Sequence, residues 1–364
     1  MEVASEKIVN RDEITDTALS LFAGDDSIHI PESYIRTDEV LADEVVGKDE
    51  AYELPAWLCV PTLGFLSGLF LASRTTLPCG AICLLPLYTT FALTNHGVDE
   101  AVAQLIKDST VEFFSLPLDI KNRVAVLGKG AGLEGYGHHY SRGPGDKLDW
   151  AEGLILITQP VHERNMKLWP TNPPTFRDAL ATYSVEMTKL ARRLLGFMAA
   201  DIGDDKGELV EAFTGKRQSM AMHYYPPCRH PDKVMGITPH TDGLGLTLLL
   251  HVDDTPGLQI KKDGRWYPVR PLPGAILINI GDVLDVLTNG AYTSVEHRVI
   301  PDAERGRTTV VFVEEGTVGE MVTPLPGLLK EQEPRYKSLD IDDYIKGILK
   351  AIPERTRFAD TLKI

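Results

Sequence analysis

Gly236-Ile-Thr-Pro-His240-Thr-Asp242-Gly243 opens the stretch that decides the fold, Ser294-Val-Glu-His297-Arg298 lies in its second half, and Arg305-Gly-Arg307-Thr-Thr309-Val-Val-Phe312 closes it. His240 and Asp242 stand at i and i+2, a spacing that sends both side chains to one face of a β-strand. His297 follows Asp242 by 55 residues, inside a second strand-like run from Ser294 to Ile300. Only a fold that brings distant strands together can unite the three. Two imidazoles and a carboxylate so united are a ligand set that grips a ferrous ion on one side and leaves positions open on the other.

A lone His-x-Asp carries little weight. The chain has a second one, His251-Val-Asp253, which runs into the turn signal Asp254-Thr-Pro-Gly257 and is expected at a strand end facing solvent. The first pair gains its meaning from another i, i+2 pair, Arg307 and Thr309, ten and twelve residues past His297. A planar guanidinium and a hydroxyl on one strand face suit a carboxylate, which arginine binds with two parallel hydrogen bonds. A zinc hydrolase could also use His, Asp and His, but it has no need of a carboxylate clamp. Asp282 and Asp285 are the other carboxylates of the region and read as a loop cap and a surface residue.

These motifs resemble the catalytic core of the plant-type Fe(II)- and 2-oxoglutarate-dependent dioxygenases, the group that includes flavonol synthase, anthocyanidin synthase and alkaloid O-demethylases. The likeness runs from about Ile30 to the C-terminus. The family's H-x-D…H triad is matched by His240, Asp242 and His297. Its R-x-S clamp is matched by Arg307-Thr-Thr309, where Thr keeps the hydroxyl. Its N-Y-Y-P-P-C block is matched by His223-Tyr-Tyr225-Pro-Pro-Cys228, with His in place of Asn.

The resemblance implies an α+β fold: a double-stranded β-helix (jelly-roll) barrel with flanking helices. It implies Fe(II) on His240, Asp242 and His297, with the co-substrate 2-oxoglutarate held by Arg307, Thr309 and Tyr225. O2 would be consumed, ascorbate could serve as reductant, and succinate and CO2 would be released. The substrate would be a small specialised metabolite or hormone, changed by hydroxylation, demethylation or desaturation. Tyr136, Phe312, the glycine-rich 127–146 loop and the C-terminal helix are the expected substrate contacts.

Bulk properties agree with an enzyme of small molecules. A net charge of −15 over 364 residues argues against nucleic acid and anionic membranes, which are bound through clustered Lys and Arg. The four cysteines form no CxxC pair and the acidic N-terminus reads as no secretory leader, so reduced thiols and a cytoplasmic location are expected; a monomer is expected as well. Hydrophobic content of 43% is ample for a large core.

Three regions are expected: a mostly helical 1–200 packing on the barrel, a jelly-roll core over 201–320, and a helical closure over 321–364. One segment departs from the pattern. Leu54 to Thr94 contains a single charge, Arg74, in two apolar runs, Trp57–Ala72 and Cys79–Leu93. Each falls short of the ~20 residues a membrane-spanning helix needs, and neither alternates with a helical period. A translated intron or frame disturbance, a divergent buried segment and a membrane anchor are the open readings, the anchor least expected. The aberrant 55–90 stretch leaves an alternative function, a catalytically impaired homologue or a metal- or small-molecule-binding protein.

Elsewhere the periods are clear. From Asp99 to Arg123 the pattern is regular again: Asp99-Glu-Ala-Val-Ala-Gln-Leu-Ile-Lys107 reads as the start of a helix with Val102, Leu105 and Ile106 on one face, and His96 before it as a structural histidine. Pro174 to Asp201 reads as a long helix in which Phe176, Leu180, Tyr183, Met187, Leu190, Leu194 and Met198 recur at threes and fours. Strands are expected at 219–225, 246–252, 258–262, 266–269, 275–280, 294–300 and 308–313. Asp263-Gly264 between two of them signals a hairpin.

Overall fold

The computed structural model describes residues 30–36, 56–58, 90–125, 134–139, 147–330, 332–354 and 356–364. Most of the apolar 54–94 segment and of the glycine-rich 127–146 loop lies outside the described residues, as do three of the four cysteines; Cys228 is free and buried.

The strands are β1 (Ala56–Leu58), β2 (Thr90–Thr94), β3 (Gly135–Gly137), β4 (Glu152–Gln159), β5 (Gln218–Tyr225), β6 (Ile237–His240), β7 (Leu246–His251), β8 (Leu258–Lys262), β9 (Arg265–Pro268), β10 (Ile276–Ile280), β11 (His297–Val299), β12 (Arg307–Glu314), β13 (Met321–Val322) and β14 (Leu339–Asp340). The helices are α1 (Glu100–Phe114), α2 (Leu118–Lys121), α3 (Phe176–Asp201), α4 (Glu208–Phe213), α5 (Asp282–Leu287) and α6 (Ile341–Glu354).

Eight strands form one sheet in the order β1-β2-β10-β7-β12-β5-β4-β3, and four form a second in the order β6-β11-β8-β9. The two sheets enclose a second apolar cluster, built on Tyr225, Leu249, Leu258, Ile260, Leu277 and Val299. This is the jelly-roll architecture, left open rather than sealed into a barrel. β2, β3 and β4 join the large sheet from before residue 200, so the sheet draws on both sides of that position.

Period-2 alternation divides the large sheet's residues between two environments. On β7, β10 and β12 the side chains of Leu248, Leu250, Ile276, Ile278, Val310 and Phe312 point to the helices and enter the main core. Their neighbours Leu249 and Leu277 point the other way, between the sheets. The long helix α3 lies on the outer face and buries the predicted stripe, Phe176, Leu180, Tyr183, Met187, Leu190, Leu194 and Met198. Gly203, at φ +72°, turns the chain away just after α3 ends.

α1 starts at Asp99, whose carboxylate accepts from the Ala101 amide at 2.8 Å. Its buried face is Ile106, Ser109, Thr110, Phe113 and Phe114; Leu105, expected on that face, is exposed. Asp263 and Gly264 both take positive φ (51° and 77°), the backbone of the expected two-residue hairpin turn joining β8 to β9. Among the described residues no helix is long and apolar enough to cross a membrane.

Candidate metal centre and co-substrate pocket

The antiparallel pairing of β6 with β11 sets His240 directly opposite His297. Their ring centroids are 4.2 Å apart. The large separation in sequence is thus closed by one register pair of the smaller sheet. Asp242 is delivered differently from the sequence expectation: β6 ends at His240, and the carboxylate comes from the loop beyond it. That loop is fixed by the Asp282 amide, which donates to the Asp242 carbonyl at 2.7 Å. Asn279 on β10 donates to Asp242 Oδ2 at 3.4 Å. Asp242 Oδ1 then lies 3.9 Å from His240 Nε2 and 3.6 Å from His297 Nε2.

One ligand atom from each of the three residues falls within 4.8 Å of the others. Both imidazoles are oriented from behind. His240 Nδ1 faces the Thr238 carbonyl at 2.8 Å, and His297 Nδ1 faces the Val295 carbonyl at 3.2 Å. A carbonyl accepts only, so each Nδ1 carries the proton and each Nε2 presents a lone pair inward. Burial, and then the adjacent His297, hold the His240 imidazole below its ordinary titration range, against the pull of Asp242. Side-chain exposure falls from 36% at His240 through 18% at Asp242 to 9% at His297. The trio is therefore open on the His240 side, where further ligands could approach.

Beside it, the large sheet supplies a polar row. Thr309 on β12 is paired with His223 on β5 and with His251 on β7, so the three side chains share the inner face. Arg307, one inward position along, pairs with Tyr225. Its guanidinium lies 5.0 Å from the centroid of the Tyr225 ring. Arg307 Nε, Nη1 and Nη2, Thr309 Oγ1, His223 Nε2 and His251 Nδ1 are all buried without a hydrogen-bond partner. The Tyr225 hydroxyl is close enough for Arg307 and Thr309 to pull its titration down, yet burial dominates and pushes it up to about 12. No acceptor meets the guanidinium with hydrogen-bonding geometry.

A buried cation with three unmet donors beside an unmet hydroxyl is a carboxylate site in chemical terms. Both neighbouring imidazoles are held neutral: burial pushes His223 and His251 down to about 3, and the positive charge of Arg307 adds to the effect. His251 corrects the sequence expectation of a solvent-facing strand end. The alternation of Thr247, Leu249 and His251 along β7 was the signal that would have turned it inward. Asn279 and Thr238, which hold the candidate ligands Asp242 and His240, had no signal of their own.

Two expected substrate contacts are elsewhere. Phe312 is fully buried in the main core, on the face of β12 opposite to Arg307 and Thr309. It stands five positions past Arg307, an odd offset, so the same period-2 rule that groups Arg307 with Thr309 puts Phe312 behind the sheet. Tyr136 is also a core residue. Its hydroxyl donates to Glu152 Oε2 at 2.6 Å, and that carboxylate pairs with the buried Lys121 at 2.6 Å. Asp285, read as a surface residue, is buried as well.

Comparison with known proteins agrees with this geometry. Residues 216–315 match the 2OG-Fe(II) oxygenase superfamily, and residues 88–172 match the non-haem dioxygenase in morphine synthesis N-terminal region. The chain is 36% identical over 332 residues to 2-oxoglutarate-dependent dioxygenase 11 of Oryza sativa subsp. japonica, covering 91% of this chain and 90% of that one. It is 37% identical over 275 residues to oxoglutarate-dependent flavonoid 7-O-demethylase 1 of Ocimum basilicum, covering 75% and 73%. The crystal structure of JOX2 in complex with 2OG, Fe and JA superimposes with a TM-score of 0.78 at 25% identity, covering 95% of this chain and 97% of that chain. These relatives favour the enzyme over an impaired or merely binding homologue. By sequence, fold and the chemistry of its donor set, the chain belongs to the plant Fe(II)- and 2-oxoglutarate-dependent dioxygenases.

Proposed function

We propose that His240 Nε2, His297 Nε2 and Asp242 hold the Fe(II), and that Arg307 and Thr309 hold the far carboxylate of 2-oxoglutarate. The observation that carries this is the set of buried, unmet donors on Arg307 and Thr309 beside a cluster of three ligand atoms. When bound, the iron supplies the oxidising chemistry: O2 is reduced as 2-oxoglutarate is converted to succinate and CO2 and the substrate is oxidised.

The chain's residues do the rest. The Thr238 and Val295 carbonyls keep both imidazoles in the tautomer that ligates. Arg307 fixes the co-substrate at its remote end, and Thr309 adds a hydroxyl donor. Tyr225 lies against the guanidinium, holds it in place and, with a phenol resistant to ionisation, remains a donor at neutral pH. His223 and His251, uncharged, complete a pocket with a single fixed cation, which favours a dianionic co-substrate over a neutral one.

The substrate in this reading is a small specialised metabolite or hormone, the class to which a flavonoid-demethylating relative points. A monomeric, cytoplasmic enzyme is part of the same reading. The test is an anaerobic titration followed by turnover. The wild type should require both Fe(II) and 2-oxoglutarate to form succinate. H240A and D242A should lose iron binding and succinate formation together. Succinate formation by D242A at the wild-type rate would exclude the ligand assignment.

A further inference from the structure

The C-terminal segment ends in a contact that the oxidative chemistry does not require. Arg357 donates from Nε to Asp282 Oδ1 at 2.8 Å and from Nη2 to Asp285 Oδ2 at 2.6 Å. Both carboxylates are almost completely buried. Asp282 is also the junction of the metal-binding region. Its Oδ2 accepts from the hydroxyl of Thr241, the residue between His240 and Asp242, at 2.9 Å. Its Oδ1 accepts from the hydroxyl of Ser294, three residues before His297. Its amide holds the carbonyl of Asp242. One carboxylate therefore touches both chain segments that carry the ligands, and Arg357 is the cation that balances it.

The same segment meets the ligand loop at a second point. Tyr344 on α6 donates its hydroxyl to the Gly243 carbonyl at 3.0 Å. Gly243 faces Ile348 so closely that a Cβ would lie 2.9 Å from its Cδ1. After α6 the chain folds back, and the Phe358 ring fills the space left by the missing side chain of Gly347. That packing sets Arg357, its neighbour, over Asp282 and Asp285. None of this was legible in the sequence, where Asp285 read as surface and Arg357 carried no motif.

We propose that Arg357 is a positioning residue for the metal site, and that the C-terminal segment braces the His240–Asp242 loop through Asp282 and Gly243. The proposal rests on the metal assignment above and concerns what holds the ligands in register before any ion arrives. A loop fixed in advance binds a small cation without an ordering cost, so the brace acts on affinity for the metal.

The test is calorimetric titration of the full-length apo chain with Mn(II), a redox-stable probe, alongside urea unfolding. R357Q should bind Mn(II) at least tenfold more weakly. R357K, which keeps the charge but cannot fork onto two carboxylates, should fall between it and the wild type. L180A in the helix–sheet core provides the control: it should lose unfolding free energy yet keep the wild-type Mn(II) affinity within twofold. Y344F, a milder change, should weaken binding about threefold and decides the matter if R357Q does not fold. Wild-type affinity in folded R357Q, or in Y344F when that variant decides, overturns the proposal; so does an equal loss in L180A. Absence of Mn(II) binding in the wild type would instead refute the ligand assignment on which it rests.

Discussion

Replacing Arg307 with methionine should move stability and binding in opposite directions. In the absence of co-substrate the guanidinium is 1% exposed and its three nitrogens meet no acceptor. Removing such a cation from water costs several kcal/mol. Contact with the Tyr225 ring returns about 2 kcal/mol at most, and the Tyr225 hydroxyl and then the Asp253 carboxylate add attraction too small to offset the burial. The balance is unfavourable, so an apolar side chain of similar length should leave the apo protein equally stable or more stable, by about 1–4 kcal/mol.

Binding should respond the other way. Loss of one member of a buried charge pair costs about 2–5 kcal/mol, or roughly 30-fold to several thousandfold in affinity for 2-oxoglutarate. Urea unfolding of the apo chain and calorimetric titration of the Mn(II)-loaded chain with 2-oxoglutarate measure the two terms separately. An R307M protein destabilised by more than about 1 kcal/mol, with wild-type affinity for 2-oxoglutarate, would refute the reasoning. In that case the guanidinium would be a structural group whose partner lies within the fold.

F312A should cost about 3–5 kcal/mol of unfolding free energy, because it opens a cavity in the main core; once folded, the variant should keep the wild-type substrate KM, and a raised KM without loss of stability would return Phe312 to the pocket. Acid should destabilise the apo chain through His223. Its folded-state titration lies near 3 while an unfolded histidine binds a proton below about 6.5, so the unfolded chain holds more protons between those values. Stability should therefore fall as pH is lowered through that window, by up to about 1.4 kcal/mol per pH unit for this residue. H223Q should flatten the slope measured by urea unfolding between pH 7 and 5, and an unchanged slope would exclude His223 as its source.

Much of the fold was legible because it depends on local periodicity. The stripe of α3, the Asp263-Gly264 turn and half of the strands follow from local patterns. The site was legible only as a list of residue types. His297 was placed beside His240 by a register pair that no local pattern encodes, and Asp242 proved to be a loop residue although its spacing suited a strand. Phe312 and Tyr136 were misjudged for a more instructive reason. The alternation that put Arg307 and Thr309 on one face already assigned Phe312 to the other, and a glycine-flanked tyrosine can as well seal a core as line a cavity. The Arg357–Asp282–Asp285 junction escaped because it joins residues more than 70 positions apart with no shared motif.

Strand β6, which carries His240, is a sparsely paired edge of its ladder. It lies at the edge of its sheet, its four residues are all half-buried, and only His240 and Ile237 are in register with β11, on either side of an irregularity. An ion held jointly by His240 and His297 is thus a rivet across that seam. Such an ion would favour the native pairing over the separated strands to the extent that it binds the pairing more tightly, and the effect would grow with the free metal concentration. Iron supply would then set not only how fast this enzyme works but how often this edge comes undone, and backbone amide exchange along β6 should slow as metal is added.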